Sequence, residues 1–282
     1  MQLSQTELCS RGNARHLLDA VSVDWLSARN KFPSLTRDLS DSGTAGRLLP
    51  ELTCWKIMHD VAAGLSHIHE HGMIHMDIKP SNIFFKQEAQ GVVCKIGDFG
   101  MSTRIGSEDD GLEGDSSYIG PELLTQDSKE TSADMFSLGL TAYELAAGPT
   151  FEIPSEGDEW HRIRAGSAVA LPAPRSHALK NLIKSLIAPN PSDRPTAAAV
   201  ATQAVAGREA DPFLSGYVMD VATFDLIREK QMREREARAA RSRRFTPTAG
   251  SLLLSGDEYS RDSVRTPTPG SDSGFGMFFP GP

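Results

Sequence analysis

The chain has 282 residues, of which 39% are hydrophobic and 23% charged, an ordinary mixture for a globular protein and enough for one large domain or two smaller ones. Its formal charge of −8 speaks against a general nucleic-acid binder. From Gly207 onward eleven basic and eleven acidic residues cancel, so the acidity belongs to the stretch before it.

Residues 2–9 alternate weakly and read as a short strand running into a turn at Ser10-Arg11-Gly12. Residues 13–21 are expected as a short helix with Leu17, Leu18 and Val21 on one side. Residues 22–47 carry Pro33, serines, glycines and scattered charges, and read as a loop or irregular insert. From Pro50 to His71 the signal strengthens. Cys54, Met58, Val61, Leu65 and Ile68 recur at steps of four and three, and Gly72 supplies the stop. His67 and His71 lie one turn apart on this helix and could share a metal, but no H-E-x-x-H carboxylate accompanies them, so they are read as flanking the helix.

Two short apolar runs, 82–85 and 92–96, are separated by a polar turn and predict a hairpin. Residues 101–120 are acidic and glycine-containing, hence a surface loop. Residues 132–147 are apolar on most faces and predict a buried helix, with Ser132 or Asp134 as its cap and Gly148-Pro149 as its end. Weaker helices are expected near 157–165, 176–188 and 196–206. The fold class is therefore mainly α with a small β-hairpin.

After Gly207 the character changes. Residues 220–244, dense in Arg, Glu and Ala, read as a charged, solvated helix, and 245–282, rich in Ser, Thr, Pro and Gly, as a disordered tail. The expected organisation is a domain at 1–206, a charged helical extension at 207–244 and the tail at 245–282. The tail holds Thr246-Pro247, Thr266-Pro267 and Thr268-Pro269, dipeptides of the kind a proline-directed kinase modifies. Cys9, Cys54 and Cys94 lie far apart with no C-x-x-C pair, which fits a reducing compartment. No run approaches the roughly 20 apolar residues of a membrane helix, and Met1 leads into polar sequence instead of a signal peptide. An intracellular protein of cytoplasm or nucleus, without a transmembrane segment, is expected.

The most specific stretch is His75-Met76-Asp77-Ile78-Lys79-Pro80-Ser81-Asn82, followed one hairpin later by Asp98-Phe99-Gly100. It matches H-x-D-x-K-x-x-N and D-F-G, and resembles the catalytic loop and metal-binding triplet of a protein kinase. Residues 2–196 as a whole resemble a protein-kinase C-terminal lobe. Four strings narrow the resemblance to the Wee family, inhibitory kinases of cyclin-dependent kinases: Gln5-Thr6-Glu7-Leu8-Cys9, residues 75–84, Glu113-Gly114-Asp115 ahead of Tyr118, and residues 134–140. Within that family the D-F-G and the Thr6-Glu7-Leu8-Cys9 hinge are closer to the membrane-associated, dual-specificity (threonine/tyrosine) branch.

The resemblance implies roles. Glu7 and Cys9 hold the adenine of ATP through their backbone groups. Asp77 is the base, Lys79 neutralises the transferring phosphate, and Asn82 and Asp98 bind Mg2+. Glu122 pairs with Arg194, and Asp134 braces the catalytic loop. A protein substrate, a cyclin-dependent kinase, is implied. Arg243-Arg244-Phe245 is similar to an R-x-F cyclin-docking string, which adds cyclin as a partner.

Two departures stand out. Met76 occupies the place of the arginine on which a phosphorylated activation loop usually docks, so the acidic loop is expected to need no activating phosphate. Only about eight residues precede the hinge, too few for a Gly-rich loop, a V-A-I-K lysine or a helix-C glutamate. The chain as it stands is thus expected to transfer phosphate weakly or not at all. The alternative to an enzyme is a lone C-terminal lobe that acts as a binding module or scaffold.

Overall fold

The computed structural model describes residues 12–22, 48–107, 115–124, 129–149, 151–167, 171, 174–222, 225, 232 and 233. All belong to one compact unit, Met1–Glu234; the second unit, Arg235–Pro282, lies outside them. The hinge string with Glu7 and Cys9, the expected strand at 2–9, most of the charged helix at 220–244 and the whole tail also fall outside the described residues.

Helix α1 (Ala14–Ser22) starts where Asn13 caps it, the Asn13 Oδ1 accepting from the His16 backbone N–H at 2.9 Å. The same side chain donates to the Ser81 carbonyl at 2.9 Å, and Asn13 bridges Phe84. One asparagine thus starts the helix and fixes it to the hairpin. Leu17, Leu18 and Val21 are buried, as their spacing predicts.

Helix α2 (Glu51–Glu70) carries the anticipated stripe: Cys54, Met58, Val61 and Leu65 are fully buried. It ends at His71, and Gly72 follows with a φ of +73°, the left-handed turn that glycine adopts without a Cβ penalty. Strand β1 (Met73–Ile74) leads into the loop at 75–79. Strands β2 (Ile83–Glu88) and β3 (Gly91–Ile96) pair antiparallel with Ile83 opposite Ile96. Beyond the hairpin, β4 (Thr103–Arg104) returns to pair with β1, so there are two two-stranded sheets among the described residues where the sequence suggested one hairpin and a plain loop. A two-residue strand has no periodicity to read.

Helix α3 (Ser132–Ala147) is buried along almost its whole length, and its bounds match the apolar stretch. Its cap differs from expectation. Thr131 occupies the N-cap without a side-chain bond, and the Asp134 carboxylate is spent on the His75 N–H instead of capping the helix. Helices α4 (Gly157–Arg164), α5 (His177–Leu186) and α6 (Ala197–Gln203) follow, the last two capped by Ser176 and Thr196. The buried Arg194 guanidinium grips Glu122 with two bonds, 2.6 and 2.8 Å, and also donates to the Ala188 and Ser132 carbonyls. That pairing was implied by the family resemblance.

The stretch after Gly207 does not begin as a solvated extension. Helix α7, residues 212–222, buries Phe213, Leu214, Tyr217 and Val218 in the same core as α1 and α2. Tyr217 meets Phe85 edge-on at 6.0 Å. The charge density of 220–244 masks this short apolar face in the sequence. No helix among the described residues is long and apolar enough to cross a membrane.

Candidate active site

The loop from His75 to Asn82 is shaped by groups that arrive from four directions. Asp134, fully buried on α3, accepts the backbone N–H groups of His75 (2.9 Å) and Met76 (2.8 Å), and its Oδ2 also meets His69 Nε2 of α2 at 2.8 Å. Under that hold Met76 takes a φ of +70°; it and Asp98, at +62° on the following turn, are the non-glycine residues with positive φ among those described. Such conformations persist only where the surroundings over-determine them.

His75 is fixed in one tautomer. Its Nδ1 accepts from the Asp77 backbone N–H at 3.3 Å, so Nε2 carries the proton and donates to the Gly97 carbonyl at 3.1 Å. Burial pushes its pKa down against the pull of Asp134 and Asp77, so it stays neutral. The ring also meets Phe99 edge-on at 5.0 Å. His75 thereby links the catalytic loop to the Asp98-Phe99-Gly100 turn.

Asp77 is 7% exposed. Asn82 Nδ2 donates to its Oδ2 at 2.7 Å and to its carbonyl at 2.8 Å, which pins the side chain; neither bond uses the Asn82 amide oxygen. The other carboxylate oxygen, Oδ1, faces Lys79 Nζ at 3.0 Å as an ion pair, off the hydrogen-bond direction, and accepts no well-aligned hydrogen bond. A carboxylate held by one oxygen with the other unspent can take a proton from a hydroxyl placed before it. Lys79 also lies 3.5 Å from Asp115 Oδ2. Burial works against the Lys79 ammonium, but Asp77 and Asp115 outweigh it and hold its pKa above the ordinary lysine value.

Asp98 is exposed, and its Oδ1 accepts the Gly100 N–H at 3.3 Å. The structure therefore brings Asp77, Lys79 and Asn82 into direct contact and sets Asp98 on the turn joined to them through His75 and Gly97.

Several participants carry no role in the sequence motifs, Asp115 entering only as the last residue of the Glu113-Gly114-Asp115 string. Asp115 reaches Lys79 and also accepts the Ser117 N–H at 3.1 Å, ordering its own turn. Trp160 Nε1 and Arg164 donate to the carbonyl of Ser116, both at 2.9 Å, and the Arg164 guanidinium lies 3.7 Å from the Trp160 ring centroid. Burial lowers the Arg164 pKa to about 10. Tyr118 donates to Glu144, and Arg15 donates to the same carboxylate at 2.6 Å. These partners lie 26 to 129 residues apart, and no local pattern announces such pairs. Met76 has no cation to offer; it lines a cavity of about 10 Å³ with Asp77, Asp115 and Ile119.

Comparison with known proteins agrees with this geometry. A probable protein kinase of Dictyostelium discoideum is 39% identical over 198 residues, covering 68% of this chain and 48% of that protein. The dog and zebrafish proteins named Wee1-like protein kinase 2 are 37% and 36% identical, over 61% and 71% of this chain but only 34% and 40% of their own lengths. The chain thus spans about half or less of these relatives. The protein kinase domain family matches residues 33–206, starting later than the hinge string and running on past Thr196. With more than half of its length in that match, and the catalytic-loop geometry above, the chain belongs to the protein kinase family.

Proposed function

We propose that this protein transfers the γ-phosphate of ATP to threonine or tyrosine hydroxyls of a protein substrate, as a Wee-type kinase acting on a cyclin-dependent kinase. The observation that carries the reading is the Asp77 carboxylate, tethered through Oδ2 by Asn82 and unspent at Oδ1 beside Lys79. In the reaction Asp77 orients the substrate hydroxyl and takes its proton as the bond to phosphorus forms. Lys79 offsets the negative charge on the transferring group.

Asn82 and Asp98 would hold magnesium. Their hard oxygen donors suit it, since magnesium takes one or two protein oxygens and completes its shell with water and substrate phosphates. The donor set fits that pattern: the bonds from Asn82 to Asp77 leave its amide oxygen unused, and Asp98 is exposed on its turn. When bound, magnesium supplies positive charge to the phosphate oxygens. Glu7 and Cys9 are proposed to hold the adenine. The Wee-type reading is supported by the names of the relatives and by Glu113-Gly114-Asp115, the string whose Asp115 meets Lys79.

The test is phosphate transfer from ATP to a peptide bearing adjacent threonine and tyrosine, compared with a serine peptide. Asp77→Asn should lower the rate by roughly 10²–10⁴-fold, the usual worth of a positioned base. Equal, measurable rates for wild type and variant would sink the assignment, and a preference for the serine peptide would remove the Wee-type specificity while leaving the kinase.

A further inference from the structure

A cavity of about 280 Å³ opens between Tyr143 of α3, Ser167 and Leu171 of the α4–α5 connection, and Lys180, Ile183 and Lys184 of α5. It shares no residue with the candidate active site. Its shape follows from α5, which buries Leu179, Leu182, Ile183 and Leu186 on one side. Lys180 and Lys184, one turn apart, flank Ile183 at the edge of that side. The floor is apolar, from Leu171, Ile183 and the Tyr143 ring, and the rim carries two ammonium groups. Lys180 is half-buried and Lys184 exposed, and neither side chain has an ion-pair partner or hydrogen bond among the described residues.

A half-buried cation normally recovers its lost hydration from a partner within the fold. Here the chain carries a net charge of −8, yet no carboxylate pairs with either lysine among the described residues; Glu159, which acts on Tyr143 at the other wall, pairs with Arg162. The volume lies just under the range of small-molecule sites and suits one large side chain better than a whole cofactor. We propose that this cavity is a docking site for an acidic peptide segment of a partner protein. One bulky apolar side chain would fill the cavity over Leu171 and Ile183, and anionic side chains just after it would pair with Lys180 and Lys184. The proposal is independent of phosphoryl transfer, because no residue of the catalytic loop takes part.

The full chain is titrated into a fluorescein-labelled peptide, Gly-Ser-Gly-Phe-Asp-Asp-Glu-Gly-Ser-Gly, and anisotropy is recorded. The wild type should bind, and the doubly substituted Lys180→Glu, Lys184→Glu chain should bind at least about tenfold more weakly. Both lysines lie at the edge of the buried side of α5 and no side-chain bond is lost with them among the described residues, so circular dichroism and thermal melting of that variant should match the wild type. Replacing the phenylalanine of the probe by alanine, or filling the cavity with Ser167→Trp, should weaken binding by a similar factor. A probe with phosphoserine in place of its acidic residues tells whether phosphate or carboxylate is the better anion. Asp77→Asn should bind as the wild type does, so failure of the kinase reading would leave this result standing. Absence of binding, or equal binding by the double-glutamate chain, would overturn the proposal. So would much tighter binding by a chain ending at residue 244, since the occupant would then be the protein's own tail.

Discussion

At the scale of single residues, Asp134 decides more than the proposed base Asp77 does. It spends two oxygens on three donors, two of them backbone N–H groups of the loop that carries Asp77. Asparagine offers one oxygen. If that oxygen keeps His75 and His69, an NH2 group faces the Met76 N–H, and a buried donor is left without an acceptor. Such an orphan costs about 1–3 kcal/mol, or about 2–4 °C of melting temperature per kcal/mol in a domain of this size. Asp134→Asn should therefore melt several degrees lower and lose activity, because Met76 no longer has the support for its positive φ. A variant with wild-type melting and wild-type rate would show that the brace is incidental. This is also where the sequence was most and least legible. The spacing from His75 to Asn82 announces a catalytic loop because its chemistry needs fixed neighbours. His69, by contrast, acts through a contact 65 residues away in the chain, and its own surroundings in sequence look like an ordinary helix; Asp115 stands in a recognisable string, but its contact with Lys79, 36 residues away, is not written there.

Elements were legible in proportion to their periodicity. Helices α2 and α3 stood out through an apolar stripe and an apolar run, while the strands β1 and β4, two residues each, are too short to have a period at all. What periodicity cannot supply is the closeness of packing, and two glycines separate the cases. A Cβ on Gly139 of α3 would stand 2.7 Å from Leu186 Cβ, 2.8 Å from Ile187 Cγ2 and 3.1 Å from the Leu186 backbone carbon. A Cβ on Gly64 of α2 would meet only Ile96, nearest at its terminal Cδ1, 3.0 Å away. Alanine gains up to about 1 kcal/mol over glycine in a helix interior, and overpacking costs about 1–3 kcal/mol. At Gly139 the backbone of α5 cannot turn aside, so the cost wins and Gly139→Ala should lower the urea midpoint. At Gly64 a side-chain methyl can rotate away, so Gly64→Ala should leave the midpoint unchanged or raise it. Denaturation curves of the two variants, compared on the same wild type, check the sign of each; the reverse order would refute this account of the α3–α5 contact.

For the whole molecule the question is where the fold ends. The family match stops at residue 206, and so did the domain expected from composition, but the core does not. Asp211 caps α7 by accepting the Phe213 N–H at 3.0 Å, and it is only 2% exposed. Burial raises its pKa, with Thr53, the Leu214 and Phe213 N–H groups and Lys56 pulling the other way. A carboxyl whose folded pKa is raised contributes stability that is present below its unfolded pKa, about 3.9, and lost as pH rises through the folded value. Asp211→Asn keeps an oxygen for the cap and removes the buried charge, so the stability it gains over wild type should grow as pH rises from about 4 to about 7.5, read from urea midpoints. A gain that shrinks over that range would reverse the assignment. The helix that this residue starts is what holds the far side of the core. Gly207 lies so close to α2 that a Cβ there would fall 2.2 Å from the Trp55 carbonyl, and Phe213, Leu214, Tyr217 and Val218 follow, all 4% exposed or less. Burying four such side chains is worth about 1.5–3 kcal/mol each, a sum comparable to the 5–15 kcal/mol that holds a typical domain together. A chain cut after residue 206 would lose that sum and bare Phe85 and the α2 surface at Trp55 at once. It should fail to fold or aggregate, whereas a chain cut after residue 234 should melt as the full protein does. Equal melting of the two truncated chains would mean that α7 merely rests on a core complete without it.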